Sequence, residues 1–122
     1  MSIYVEVNDV KYLATITGRL EDRDWDNRAS KAIKVRLPYS DAAATFVDNI
    51  KWNIIQDVDE TVEHINEETG DVTYEIVTKQ EVYDNSEYNI AGDIIDHRNG
   101  FVTVKMGKPT AEEILAMFEE VM

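Results

Sequence analysis

The residues with the most evident chemical potential are three aspartates, Asp22, Asp24 and Asp26, at alternate positions within residues 18–30, GRLEDRDWDNRAS. Carboxylates at i, i+2 and i+4 open the calcium loop of an EF-hand, where a hard cation needs converging oxygens. The comparison then fails, because the sixth position of such a loop needs Gly and is Asn27, and the twelfth needs Glu and is Ile33. The aspartates are expected instead to pair with Arg19, Arg23 and Arg28 in their own stretch. No metal ligand is assigned, and a weak calcium or magnesium site is the alternative. A lone Trp25 sits among these charges. Tryptophan and arginine are enriched at interface hot spots, so Arg23, Trp25 and Arg28 are candidate partner-binding residues. The competing expectation is that Trp25 packs on the domain's own sheet, since an exposed indole is costly.

Other reaction chemistry is sparse. The two histidines, His64 and His97, belong to no metal-spacing motif. Ser2, Ser30, Ser40 and Ser86 lack the glycine context of a nucleophile elbow. There is no phosphate loop or dinucleotide fingerprint, and Gly92, Gly100 and Gly107 are isolated, as in turns and bulges. Acids are so abundant that any pair at glycosidase spacing has no diagnostic value. The expectation is a non-enzymatic protein with no cofactor. The absence of cysteine removes disulfides, thiolate zinc sites and cysteine nucleophiles.

The net charge of −13 is unevenly placed. Residues 1–56 hold eight Lys/Arg and eight Asp/Glu, a balance of zero, whereas residues 57–122 hold four Lys/Arg and seventeen Asp/Glu, a balance of −13. Such a surface repels nucleic-acid phosphates and anionic lipid, so neither nucleic acid nor membrane is an expected partner. A solvated acidic face is the plain explanation and a docking face for a basic partner the other. Glu67 and Glu68 in this half are further candidate partner-binding residues. Nowhere do eighteen apolar residues run together, and MSIYVEVND carries no basic region or long apolar run, so neither a membrane-spanning helix nor a secretory signal is expected.

The chain around these groups reads as a series of hairpins. Residues 3–7 and 10–16 flank the two-residue turn Asn8-Asp9. After residues 18–30, expected as a loop, the run 31–37 alternates, with Ile33, Val35 and Leu37 facing the core and Ala32, Lys34 and Arg36 facing water in an edge-compatible basic stripe. Pro38 ends that strand. Ser40 or Asp41 caps a short helix at 42–47, with Phe46, Val47 and Ile50 covering a sheet. Residues 51–55 resume strand character, with Trp52 in the core. A long acidic hairpin joins 61–66 to 72–83 through Gly70, and a last one joins 88–95 to 101–106 through Asn99-Gly100. Thr110 to Glu113 form a capping box for a C-terminal helix. Its apolar stripe of Ile114, Leu115, Phe118 and Val121, flanked by Met117 and Met122, is expected to face the core, with docking to a partner as the alternative. At 122 residues the chain is expected to be one globular domain spanning 1–122, in the α+β class. It should be mainly antiparallel, with about seven to eight strands in hairpins, one short mid-chain helix and a C-terminal amphipathic helix.

Three segments carry a family likeness: Arg19 to Arg28 with Ser30-Lys31, then AAATFVD at 42–48 followed by Trp52, then GDIIDHRNG at 92–100 running through 102–113. In these words the chain resembles a family of small, uncharacterised prophage proteins of Firmicutes-type bacteria, of the late-gene, tail-region type. The likeness covers roughly two-thirds of the chain and is weakest around residues 57–83. It implies a virion- or tail-associated structural or accessory component, working in the host cytoplasm during assembly and then in the virion. The expected partners are other phage proteins or further copies of itself. It assigns no catalytic residue. Two alternatives of other classes are an acidic inhibitor or nucleic-acid mimic that occupies a basic host protein, and a small enzyme acting on cell-wall sugar or peptide.

Overall fold

Asn8 and Asp9 have φ of 52° and 64°. Two successive left-handed residues make the tight turn whose twist matches paired strands, and Asn and Asp tolerate that conformation. They join β1 (Ile3–Val7) to β2 (Val10–Asp22), with Tyr4 opposite Leu13 and Val7 opposite Val10. The computed structural model describes residues 2–121, with side chains to residue 118. The remaining elements are β3 (Arg28–Val35), α1 (Tyr39–Thr45), β4 (Trp52–Ile65), β5 (Val72–Asp84), β6 (Ile90–Asp96), β7 (Val102–Gly107) and α2 (Ala111–Val121). The strands form a seven-stranded sheet in the order β5-β4-β1-β2-β3-β7-β6, with every neighbouring pair antiparallel. This is an α+β arrangement, mostly antiparallel, with two helices.

The sheet must curl. Its outermost strands, β5 and β6, are joined only by the link from Asp84 to Ile90. Six interstrand spacings would hold the edges of a flat sheet about 29 Å apart, whereas six residue steps reach at most about 22 Å. The corner is made in β2, where residues 10–13 pair with β1 and the pairing with β3 begins at Ala14. Val5, Val7, Ile33, Val35, Val102, Val104 and Met106 line the inside of the curl, covered by Ala42 of α1, by Phe46 at its end, and by Trp52. Each such side chain contributes about 1.5–3 kcal/mol by leaving water. The polar ends of the cover are satisfied locally. Trp52 Nε1 donates to the Tyr88 carbonyl at 3.0 Å, Asn85 N to the Trp52 carbonyl at 2.9 Å, and Asn49 N to the Asn89 carbonyl at 2.8 Å.

Several elements differ from their sequence reading. Residues 18–22 and 28–30 are strand rather than loop, because Gly18 pairs with Lys31 and Arg19 with Ser30, with a bulge before Asp22 pairs with Arg28. The expected strands at 51–55 and 61–66 are not separate but merge into the continuous β4, which leaves out Lys51 and Asn66. The N-cap of α1 is Pro38, without a side-chain cap, in place of Ser40 or Asp41, and Val47 is exposed. The basic stripe is not on an edge: β3 lies between β2 and β7. The apolar stripe of α2 does not enter the core, since Ile114, Leu115, Met117 and Phe118 are all exposed. The side chains of Val121 and Met122, assigned to the same stripe, lie outside the described residues.

Beyond the pairing of Ile3 with Gln56, β4 loses β1 as a neighbour but keeps β5 as far as Ile65 opposite Val72. Nine further residues at about 3.3 Å each carry this two-stranded arm about 30 Å out from the sheet. Gly70, with φ of 75°, helps turn its tip.

Candidate functional site

The bulge in β2 turns Asp22 into the interior, where its side chain is fully buried. Its Oδ2 accepts from Lys105 Nζ at 3.0 Å and from Ser30 Oγ at 2.9 Å, its Oδ1 accepts from the Asp24 amide at 3.1 Å, and Arg19 lies 3.8 Å away. The bond from Lys105 holds the carboxyl below its ordinary range, against the opposing effect of burial. Asp22 is thereby committed to protein donors, whereas Asp24 and Asp26 are exposed. No group of three or more candidate metal-binding side chains occurs among the described residues.

Trp25 is half-buried, with the outer edge of its ring against β6 and β7. A Cβ on Gly92 would stand 2.6 Å from its Cη2, and one on Gly107 would stand 2.8 Å from its Cζ3. Glycine at both positions is what lets the ring settle there. Arg28 stacks on the indole at 4.9 Å from the ring centroid and is itself buried. Its guanidinium donates to the carbonyls of Trp25 at 3.3 Å and Lys108 at 3.2 Å, and pairs with Glu113 at 2.8 Å. Glu113 also accepts from the Thr110 amide at 3.0 Å, while its own amide donates to Thr110 Oγ1 at 3.2 Å, completing the capping box. The Thr110 amide foremost, and Arg28 with it, hold the Glu113 carboxyl below its usual range. Of the three candidates in this stretch, Trp25 and Arg28 are thus anchored within the chain, and Arg23 is exposed. The sequence reading missed Lys105, Ser30 and Glu113 as partners. The capping box placed Glu113, but nothing local placed it beside Arg28.

Glu67 and Glu68 lie at the tip of the arm, both exposed and remote from Trp25 in the chain. Residues 57–84 carry ten Asp/Glu and one Lys, so −9 of the net −13 resides here. Along the arm, Asp59 accepts from Thr78 at 2.8 Å, Glu60 pairs with Lys79 at 3.2 Å and Glu75 with His64 at 2.9 Å. Ile65 and Val72 face each other, next to Tyr74 and Ile76 on the same side of the ladder. These four are 63%, 45%, 69% and 73% exposed. A free two-stranded ribbon is marginal in water, and an apolar patch on it marks a contact surface.

A second feature lies at the β2 corner, in an open concavity lined by Ile3, Leu13, Lys11, Lys34, Arg36 and Phe101, with no acidic residue in its wall among the described residues. Lys34 and Arg36 lie over the Phe101 ring at 5.4 and 5.8 Å. The alternation of Lys34 and Arg36 was the sequence signal for this wall; Lys11, Leu13 and Phe101 join it only through sheet register. No protein-family model, curated protein or solved structure matches this chain. Elsewhere, burial pushes the Lys31 amine below its usual range while it hydrogen-bonds Asn85 and lies over Tyr88 at 4.7 Å. The His97 ring lies 2.7 Å from Thr103 Oγ1, and its amide donates to the Phe101 carbonyl at 3.1 Å. No helix among the described residues is long and apolar enough to cross a membrane.

Proposed function

We propose that this chain is a non-enzymatic prophage protein, a structural or accessory component associated with the virion tail, and that it acts through protein–protein contacts. The observation that carries the reading is the β4–β5 arm, which holds Ile65, Val72, Tyr74 and Ile76 in water on an acidic ribbon about 30 Å long. A monomer gains nothing from such a ribbon, because its strands bury little, and it becomes stable and useful when a partner covers it. The likeness in residues 19–31, 42–52 and 92–113 supplies the phage context. Deleting the gene from its prophage and inducing the lysogen tests this: particles should lose tails or infectivity while DNA replication proceeds. Normal, infectious particles from the deletion would contradict it.

The charge of the arm, −7 over residues 57–80, favours a second reading, an acidic inhibitor or nucleic-acid mimic for a basic host protein. A nucleic-acid mimic presents charge where phosphates would stand, and the apolar row on one side of the arm fits that poorly. Capture of a basic host protein that fades with added salt, with no effect of Tyr74→Ser or Ile76→Ser, would select this reading.

A further inference from the structure

We infer that the concavity at the β2 corner receives the β4–β5 arm of a second copy of this chain. The inference rests on the contact-protein reading and names the partner. Its basis is charge and shape on two separate surfaces of one molecule. The arm is acidic throughout, with an exposed apolar row of Ile65, Val72, Tyr74 and Ile76. The concavity has the opposite character: Lys34 and Arg36, with Lys11 whose amine also donates to Gln80 of β5 at 3.2 Å, stand around Leu13, which is 64% exposed, and Phe101, with no acid in the wall among the described residues. Acid-rimmed apolar surface meeting base-rimmed apolar surface gives both attraction and register.

Backbone geometry adds to the match. β1 accompanies β2 only as far as Leu13, so among the described residues the corresponding side of β2 beyond that point has no strand beside it. The arm likewise carries β4 without a β1 partner beyond Asp57, whose amide donates to the Ser2 carbonyl at 2.9 Å. Open strand edges of this kind are what an incoming strand pairs with. Because the arm and its receptor are different surfaces, the contact is head-to-tail. It propagates into a ring or filament, or closes as a reciprocal pair.

Sedimentation velocity on the full chain tests this, with circular dichroism confirming that each variant is folded. The wild type should associate as concentration rises, and less so in high salt. Lys34→Glu with Arg36→Glu should weaken self-association at least about tenfold, as should Tyr74→Ser with Ile76→Ser. All four side chains are exposed, so these changes spare the core. Mixing the two double variants should then form a one-to-one complex, since one keeps its arm and the other its receptor. A misfolded variant cannot produce that rescue. A wild type that stays monomeric at every concentration overturns the inference, and so does association that neither variant weakens or that the mixture fails to restore. Association lost on removing residues 111–122 but kept by both double variants would assign the contact to α2 and overturn it equally. A monomeric chain that is still found in purified particles would overturn this inference alone and leave the contact-protein reading standing.

Discussion

Arg28 Nη1 stands 2.8 Å from Glu113 Oε1, and this contact ties the turn between β2 and β3 to the first turn of α2. Arg28 is buried whereas Glu113 is partly open to solvent, so the arginine needs the pair more than the glutamate does. Removing one partner of a buried ion pair is far more costly than the pair's net contribution.

Arg28→Met leaves the Trp25 and Lys108 carbonyls without this donor, so it should cost about 1–3 kcal/mol of stability and loosen the start of α2, read as a lower urea midpoint and weaker helical ellipticity. Glu113→Gln should give the milder form of the same effect, because Thr110 keeps a partner. Glu113 has a lowered pKa in the folded state, so its contribution is complete above the unfolded carboxylate value and is lost as pH falls through the folded one. Acid should thus weaken the wild-type helix start more than that of Glu113→Gln.

Asp22 gives a second, independent acid dependence. The Lys105 bond lowers its folded pKa, so the stabilisation is full above about pH 4 and disappears as the medium becomes more acid than that. Asp22→Asn should lower the urea midpoint at neutral pH, leaving Lys105 without its charge partner, and should flatten the loss of stability below pH 4. Equal slopes for the two proteins in that range would refute the assignment.

Gly92→Ala should displace Trp25, because its new methyl would stand 2.6 Å from the ring. Overpacking of this kind costs about 1–3 kcal/mol. The emission of Trp25 should move to longer wavelength while Trp52, 1% exposed, keeps its own. Trp25→Phe in the same background should recover part of the stability.

The parts of this fold legible in the sequence are those fixed by short-range chemistry. Asn8-Asp9 demanded left-handed residues, Asn99-Gly100 marked its turn, Thr110 with Glu113 spelled a capping box, and alternation put Ile33 and Val35 inside. What was not legible depends on distant chain. The polar run at 18–22 is a strand because Lys31 and Ser30 pair with it, and no propensity announces that. Trp25 finds Gly92 and Gly107 on two neighbouring strands, where the only hint is a pair of glycines that pattern alone reads as turns. The stripe of α2 has the periodicity of a core helix, yet Leu115 and Phe118 are exposed. Amphipathicity records that a face wants covering and does not record by which molecule.

In the isolated chain the arm should be the least protected part of the sheet. Amides in residues 59–65 and 72–78 should exchange orders of magnitude faster than those of β3 and β7, because local opening of the ribbon exposes little new apolar surface. Protection that equals the core in a dilute monomer would mean the arm needs no partner.

If the chain is a virion component that works by contact, as proposed, quantitative mass spectrometry of gradient-purified particles from the induced lysogen should find it there. Peptides of this chain should occur in fixed ratio to the tail proteins and be lost from particles when Tyr74→Ser and Ile76→Ser are introduced together. Particles that are complete and infectious yet contain none of this chain would contradict the proposal.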